Sequence, residues 1–309
     1  MKISEEEKER YQVKVKSDTF YRSAARLLQS KWREQKGYPI GVSARNNKYG
    51  NYIEKEYAEY HKINFLTENI RKQVDIALEN KEDKSLIDKS RLWENMLSSQ
   101  PLCFNLFGEL AHDLQLASLF FTVVLPDKIK EVTRILFEHS AWRENTKYTG
   151  DKSAFDVFVE YTSPIGRKGF LGIEVKYAES LNEESSAKSE NIFRAHETEY
   201  KRLTTNSIFK NNSLDKLCKP PLSQIWRDHL LAISVVKNKD YEEGYFIFLY
   251  PKSNSQCEKG VRKYKEQLIS ENYETTLFIS AHLEDYINIL NEIIHSDWTK
   301  ELKERYLGY

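Results

Sequence analysis

The sequence has few cysteines, and they do not form a disulfide framework. Cys103, Cys218 and Cys257 are odd in number, widely spaced and include no CxxC pair. This pattern is typical of reduced thiols in a reducing compartment. The first residues are charged and contain no apolar signal-peptide core. No window reaches the ~20 consecutive apolar residues of a membrane span, so we expect a cytoplasmic protein without membrane segments.

The chain also lacks an overall charge and the motifs of several enzyme classes. Lys and Arg together number 47, as do Asp and Glu, so the formal net charge is zero. Binding to nucleic acid would therefore depend on local basic patches. The seven histidines form no HExxH motif or zinc-ligand spacing, and there is no P-loop, GxGxxG or GxSxG motif. These absences argue against a zinc site, nucleotide hydrolysis and acyl transfer.

Two apolar segments in the middle of the chain contain isolated charged residues. Residues 154–161 predict a buried strand with one early acid, Asp156, and residues 170–177 predict a second strand that contains Glu174 and Lys176. The segment between them contains a proline and a glycine, so we expect the two strands to pair as a hairpin. Because side chains alternate along a strand, Glu174 and Lys176 share one face, where Asp156 could meet them.

These three charged residues form a candidate metal site. Two converging carboxylates raise each other's pKa unless a cation neutralises them. Oxygen ligands without nearby His or Cys suit Mg²⁺ or Mn²⁺, and a lysine beside the ion could orient or help deprotonate an attacking water. The alternative is a structural Glu174–Lys176 ion pair. The pattern Glu-x-Lys occurs seven times in the chain, but only this one lies in an apolar strand.

The segments around these strands predict an α/β fold. Residues 105–121 have the pattern of a core helix, residues 132–138 of a strand, residues 222–236 of a helix and residues 245–250 of a strand buried on both faces. The order from 105 to 250 is therefore helix, strand, strand, strand, helix, strand. This order predicts a sheet with helices packed against it.

Both ends of the chain are predicted to be mostly helical. Residues 4–35 and 51–97 have helical patterns, and the loop 37–50 separates them. This loop contains Arg45 and Lys48, which could contact phosphate groups, or it is a solvated connector. We expect an N-terminal helical extension, a core and a C-terminal helical extension packed on the core, over residues 1–95, 96–250 and 251–309.

Asp156 followed by Glu174-Val175-Lys176 on the next strand resembles the PD-(D/E)XK nucleases, which have the restriction-endonuclease-like fold. The predicted element order is similar to the αβββαβ core of that superfamily, in which helices flank a mixed central sheet. The segment 97–108 also resembles a mostly uncharacterised bacterial subgroup. The resemblance implies that Asp156, Glu174 and the Val175 backbone carbonyl bind Mg²⁺, for which Mn²⁺ can substitute, and that Lys176 assists the attacking water.

The resemblance also implies roles for residues on two helices. The superfamily often has a further acid on the first core helix, and this role would fall to Glu109. Two other acids are alternatives to it, Asp113 and Glu138. Some branches carry a Gln and a Tyr four residues apart on the later helix, whereas here Gln224 is followed at that spacing by Asp228. Gln224 and Arg227 would either contact the site or a phosphate, or serve as cap and surface residues.

The function that the resemblance implies is a metal-dependent nuclease, with a DNA endonuclease of restriction or phage-defence type as the first hypothesis. Two alternatives stay open: a catalytically silent nucleic-acid-binding or interaction protein on the same fold, and a nuclease that cuts RNA or single strands. Cutting both strands of DNA usually requires two active sites, so we expect a homodimer. The candidate phosphate contacts on the flanking segments are Arg45, Lys48, Arg194 and Lys201.

Overall fold

A computed structural model describes the chain at residues 3–82, 85, 87–182 and 184–308. The N-terminal part consists of helices and one small hairpin. Its elements are α1 (Glu5–Arg10), α2 (Phe20–Gln35), β1 (Ile40–Val42), β2 (Lys48–Ile53), α3 (Lys55–His61), α4 (Glu68–Glu79), α5 (Lys89–Trp93), α6 (Ser99–His112) and α7 (Leu114–Val124).

The rest of the chain contains the central sheet and the helices that cover it. Its elements are β3 (Glu131–His139), β4 (Phe155–Thr162), β5 (Lys168–Val175), α8 (Ser186–Ala195), α9 (Glu197–Thr204), α10 (Leu214–Leu217), α11 (Ser223–Lys237), β6 (Glu243–Tyr250), α12 (Ser255–Lys265), α13 (Tyr273–Thr276), β7 (Phe278–His282), α14 (Leu283–Ile294) and α15 (Asp297–Leu307). Within the described ranges, no helix combines the length and the apolar character that a membrane crossing requires.

The central sheet has the strand order β3-β4-β5-β6-β7. β3, β4 and β5 pair antiparallel, whereas β6 is parallel to β5 and β7 is parallel to β6. The mixed sheet and the αβββαβ order predicted from the sequence are confirmed. β7 was not predicted, because a strand of five residues between helices is too short to show a clear period.

Apolar side chains cover the sheet on both faces. Val159, Ile173 and Leu249 belong to one cluster with α6, α7 and α14, whereas Phe170 and Phe248 belong to a second cluster with α11. β5 and β6 are therefore buried on both sides, as their continuous apolar runs predict. A charged residue within these strands is shielded from water, which strengthens its electrostatic interactions.

Three predicted segments differ from the structure in their boundaries. The helix predicted over 4–35 is two helices, because residues 11–19 are not helical. The loop predicted over 37–50 contains the β1–β2 hairpin, in which Ile40 pairs with Ile53. The core helix predicted over 105–121 is split at Asp113, which ends α6 and caps α7.

The two ends of the chain meet at a buried polar cluster beside the end of β5. Arg305 of α15 is fully buried, and its Nε donates to Gln29 Oε1 of α2 at 3.1 Å. Gln29 in turn donates from Nε2 to the Tyr177 hydroxyl at 3.0 Å and to the Arg305 carbonyl at 2.7 Å. The Arg305 guanidinium also stacks on the Trp32 ring, 4.5 Å from its centroid. Both terminal regions therefore pack against the segment that follows Lys176.

Candidate active site

Three acidic residues lie at aligned positions on three adjacent strands. Val157 of β4 pairs with Phe137 of β3 on one side and with Ile173 of β5 on the other. One residue further along, the two registers align Glu138, Asp156 and Glu174. The acids therefore lie side by side at the end of the sheet where the pairing of β4 with β5 stops.

Backbone contacts hold Asp156 against the end of β5. The Val175 N–H donates to Asp156 Oδ2 at 2.8 Å, so the carboxylate takes the place of a main-chain acceptor. The neighbouring Phe155 ring lies over Gly172, where a Cβ would come within 2.4 Å of the ring. Glycine is therefore required at this position, and the close packing of Phe155 helps to hold Asp156 in place.

Glu174 and Lys176 form a buried ion pair. Lys176 Nζ lies 2.7 Å from Glu174 Oε1, and the two side chains are 9% and 8% exposed. The Gln224 amide of α11 donates to the same oxygen at 2.8 Å. Lys176 is also fixed through its backbone, because its N–H donates to the Leu249 carbonyl of β6 at 2.8 Å. The predicted shared face of Glu174 and Lys176 is thus observed, and Gln224 orients the carboxylate.

The electrostatic environment favours a proton or a cation on this group of residues. Burial raises the pKa of Asp156 well above its ordinary value, and the Glu174 carboxylate raises it further. Burial lowers the pKa of the Lys176 ammonium, but Glu174 and Asp156 outweigh that effect and the net pKa is raised. Lys176 is therefore a fixed positive charge, and it is shared between two carboxylates.

These residues line an open cavity of about 510 Å³ with excess negative charge. Among the described residues that line it, seven acids face five Lys and Arg side chains. The acids are Glu138, Glu144, Asp151, Asp156, Glu174, Glu184 and Asp228, and the bases are Arg91, Lys152, Lys176, Lys188 and Arg227. With all seven carboxyl groups ionised, the lining has two excess negative charges, which one divalent cation or two protons would balance.

Asp228 is a functional candidate to which the sequence analysis gave no role. It lies on α11, one turn after Gln224, and is 6% exposed. Its Oδ2 is buried and makes no hydrogen bond within the described part of the chain. Burial and then Glu174 raise the pKa of Asp228 well above its ordinary value. The spacing of four residues from Gln224 indicates a shared helix face, which could have pointed to this residue.

Arg227 lines the cavity, but Glu184 already binds its guanidinium. Arg227 Nη1 and Nη2 lie 3.0 Å and 2.9 Å from the two Glu184 oxygens. Glu184 also accepts a hydrogen bond from Ser223 at 3.0 Å. Burial lowers the pKa of Arg227, but Glu184 raises it by more, so the pair stays ionised. The Arg227–Glu184 ion pair thus links α11 to the segment that precedes α8, so Arg227 is not a free surface residue.

Glu109 is not part of this group. Its Oε2 accepts a hydrogen bond from Asn69 at 3.1 Å and its Oε1 from Thr67, at the beginning of α4. Gln100, near the beginning of α6, lines the cavity, and Glu109 lies nine residues further along that helix, about 13 Å away at 1.5 Å per residue. Of the alternative acids, Asp113 caps α7, whereas Glu138 lines the cavity.

Glu138 has an unusual backbone conformation at this position. Its φ is +51°, a left-handed value that is uncommon for a residue other than glycine. Arg143 Nη2 lies 3.4 Å from its Oε1, and the Glu138 carboxylate contributes to the raised pKa of Asp156. Strained residues of this kind cluster at functional sites.

The two basic residues of the 37–50 segment lie outside the active-site cavity. Arg45 lines a separate cavity between α2 and the β1–β2 hairpin. Lys48 is the exposed first residue of β2 and lines none of the described cavities. Arg194 and Lys201 form exposed ion pairs with Glu190 and Glu197 on their own helices.

The donor set fits a hard divalent cation. Asp156 and Glu174 offer carboxylate oxygens, which Mg²⁺ and Mn²⁺ prefer over nitrogen and sulfur ligands. One oxygen of each is engaged, Asp156 Oδ2 by Val175 and Glu174 Oε1 by Lys176 and Gln224. Over the described ranges, no group of three or more His, Cys, Asp and Glu side chains is already gathered around one point as metal ligands. The other oxygen of each carboxylate would be the one that faces an ion, and the remaining ligands would be main-chain oxygens or water.

Comparison with known proteins identifies the family. A model of the PD-(D/E)XK nuclease superfamily matches residues 16–308, which is nearly the whole chain. No curated protein and no solved structure matches significantly. Members of the superfamily are metal-dependent nucleases, and the mixed sheet flanked by helices agrees with their fold. The chain therefore belongs to the PD-(D/E)XK nuclease superfamily.

Proposed function

We propose that the chain is a Mg²⁺-dependent DNA endonuclease, in which Mn²⁺ can replace Mg²⁺, and that it cuts in the cavity beside Asp156, Glu174 and Lys176. The observation that carries this proposal is the alignment of three acids on adjacent strands with one buried lysine among them. Concentrating buried negative charge costs stability, and a function in metal binding would explain why the chain tolerates that cost.

Asp156 of β4 and Glu174 of β5 would hold the metal ion, together with the carbonyl of Val175, which follows Glu174. When bound, the ion lowers the pKa of a coordinated water and offsets negative charge on a phosphate. Asp156 is held in place by the Val175 N–H, and Glu174 by Gln224. These fixed positions reduce the reorganisation that the carboxylates need when the substrate reacts.

Lys176 would act as a positive charge in this site. Its raised pKa keeps the side chain an ammonium near neutral pH, which favours hydrogen-bond donation over the removal of a proton. An ammonium at this position can hold the attacking water and stabilise the charge that develops on the phosphate oxygens. Asp228 of α11 adds a second carboxyl group with a raised pKa to the wall of the cavity that Glu174 also lines.

We propose Glu138, in place of Glu109, as the third acid of the site. Replacing Glu138 with glutamine is expected to slow cleavage about 10- to 100-fold, because it removes a negative charge aligned with Asp156. Glu109→Gln is the matched control and should change the rate by less than about twofold, since Glu109 bonds to the beginning of α4. The plasmid cleavage rates of the two variants are compared at saturating Mg²⁺. A larger loss of rate in Glu109→Gln than in Glu138→Gln would assign the third acid to Glu109.

The flanking regions complete the proposal. Segments 1–95 and 251–309 would flank the core at 96–250 and shape a substrate groove, and Arg91 of the first segment lines the active-site cavity. Gln29 and Arg305 bond the two segments to each other. Cleavage of both strands of a duplex would require two sites, and hence a homodimer. The biological setting we propose is restriction or phage defence, inside the cytoplasm.

Cleavage of supercoiled plasmid tests the proposed function. The purified protein is incubated with Mg²⁺, with Mn²⁺ and with EDTA, beside Lys176→Ala, and matched single-stranded DNA and RNA are included as substrates. Metal-dependent nicking or linearisation that Lys176→Ala loses is the expected result. Cleavage of RNA or single strands alone would change the substrate class. Binding to nucleic acid without cleavage of any substrate would favour the catalytically silent alternative.

A further inference from the structure

A second cavity adjoins the active-site cavity, and arginines line it. This cavity, named the arginine cavity below, has a volume of about 500 Å³ and lies between α2, the β1–β2 hairpin and α5. The arginines that line it are Arg22, Arg26, Arg45 and Arg91. Within the described part of the chain, Glu179 is the one acid among its lining residues. Its charge is therefore opposite to that of the active-site cavity.

The arginine cavity contains a buried guanidinium in a fixed position. Arg26 is 5% exposed, and its Nε and Nη2 lie 2.7 Å and 3.1 Å from the two Asp18 oxygens. Its Nη1 donates to the Asn51 side chain, and the guanidinium lies 5.1 Å from the centroid of the Tyr49 ring. Arg22 Nε lies 3.3 Å from the same Asp18 carboxylate. One buried acid thus orients two arginines, which leaves the cavity with excess positive charge.

Arg91 joins the two cavities, because its side chain lines both of them. Arg91 Nη2 lies 3.1 Å from Glu179 Oε1, and the same oxygen accepts the Ser99 N–H at 2.7 Å. Glu179 Oε2 accepts the Tyr177 N–H at 3.0 Å, directly after Lys176. This shared wall connects the arginine cavity to the active-site cavity, and Glu179 ties it to the segment that directly follows Lys176.

We propose that the arginine cavity binds a backbone phosphate of the nucleic-acid strand that is cut in the active-site cavity. The inference rests on the proposed function, since it assigns the cavity to the substrate of that site. Arginine is suited to this role because its planar fork of N–H donors matches the oxygens of a phosphate. A strand that crosses Arg91 would place one phosphate near the metal ligands and a neighbouring segment over Arg22 and Arg45.

Nucleic-acid binding in EDTA tests this inference without metal-dependent cleavage. The affinity of a fluorescein-labelled DNA duplex, and of its single strand, is measured for wild type, Arg22→Ala, Arg45→Ala and the double variant. Each single substitution is expected to weaken binding about tenfold. The slope of log affinity against log salt should fall by about one for each phosphate contact removed.

Arg167→Ala is the matched control. Arg167 lies in the turn between β4 and β5, at the opposite end of β5 from Glu174, and its side chain is 54% exposed. The Arg167→Ala substitution should leave the affinity for the labelled DNA, and the salt dependence of that affinity, unchanged. If the double variant does not fold, Arg45→Glu is measured in its place, because Arg45 lies at an exposed position of the hairpin.

The two readouts separate the inference from the proposed function. Loss of affinity in the arginine variants, together with plasmid cleavage by wild type, supports both the phosphate site in the arginine cavity and the nuclease function. The same loss of affinity without cleavage in any metal supports the arginine cavity as a phosphate site and refutes the nuclease assignment. Normal cleavage, with affinities and salt slopes that match Arg167→Ala, would overturn the assignment of the arginine cavity.

Discussion

Replacing Asp156 with asparagine is expected to lower the rate of plasmid cleavage by about a thousandfold or more. The asparagine keeps the size of the side chain and an oxygen that can accept the Val175 N–H, so β4 and β5 stay paired. The substitution removes one of the two carboxylates that would hold the metal ion. The loss is therefore expected to come from metal binding and not from unfolding.

The same substitution should stabilise the metal-free protein. Burial and Glu174 raise the folded-state pKa of Asp156 above its unfolded value of about 3.9, so ionising this residue costs folding free energy. The contribution of Asp156 to the stability of the metal-free wild type should be most favourable below that unfolded value and should decline as the pH rises toward the folded-state pKa. Asparagine does not ionise and avoids this cost. A gain of about 1 kcal/mol would raise Tm by about 2–4 °C at neutral pH.

Thermal unfolding in EDTA and plasmid cleavage in Mg²⁺ measure the two effects on the same samples. Asp113→Asn is the matched control, because Asp113 is exposed and caps α7, a role that asparagine fills equally well. It should change neither the rate nor Tm. An Asp156→Asn protein that cleaves at the wild-type rate would remove Asp156 from the active site.

Replacing Lys176 with methionine is expected to separate metal binding from cleavage. Methionine retains a long apolar side chain but lacks the ammonium that lies 2.7 Å from Glu174. Cleavage should fall by about 100- to 1,000-fold, which is typical of losing one preorganised donor in an active site. Mn²⁺ should bind at least as tightly as in wild type, because the ammonium no longer competes for Glu174 Oε1.

Lys176→Met should also make folding depend on the metal. Without the ammonium, two buried carboxylates lie together unneutralised, and removing one partner of a buried pair costs about 3–5 kcal/mol. Tm in EDTA should therefore fall by several degrees and recover when Mn²⁺ is added. Lys176→Arg, which keeps the charge, should retain most of the stability in EDTA. Wild-type cleavage by Lys176→Met would show that the lysine has only a structural role.

The strands of the site could be predicted because isolated charges in apolar segments are costly. Asp156 and Glu174 stood out for this reason, and their alignment across the hairpin followed from alternation and a short turn. The helix that contributes Gln224 and Asp228 was also predicted, although its approach to Glu174 depends on how α11 packs against the sheet.

The third acid that we propose, Glu138, could not be predicted, because its alignment with Asp156 depends on a strand irregularity. The pairing of β3 with β4 shifts by one residue between Val132 and Arg134. Without that shift, Phe137 would align with Asp156, whereas the observed register aligns Glu138. No local sequence pattern reveals such a bulge, so the sequence analysis assigned the role to Glu109 and kept Asp113 and Glu138 as alternatives.

The arginine cavity was equally inaccessible to sequence analysis. Its arginines come from α2, the β1–β2 hairpin and α5, which are separated by tens of residues and show no shared motif. Arg45 was singled out from the composition of its loop. Arg26 and Arg91 were not, because a helical arginine is usually a surface residue unless tertiary contacts bury it.

Calorimetric titration of Mn²⁺ and Mg²⁺ into wild type and Asp156→Asn tests the central claim most directly. That claim is that Asp156 and Glu174 form a divalent-metal site in the active-site cavity. We expect saturable binding to wild type that Asp156→Asn loses, while Glu109→Gln binds as wild type does. Equal binding by wild type and Asp156→Asn, or no binding by wild type, would contradict the claim.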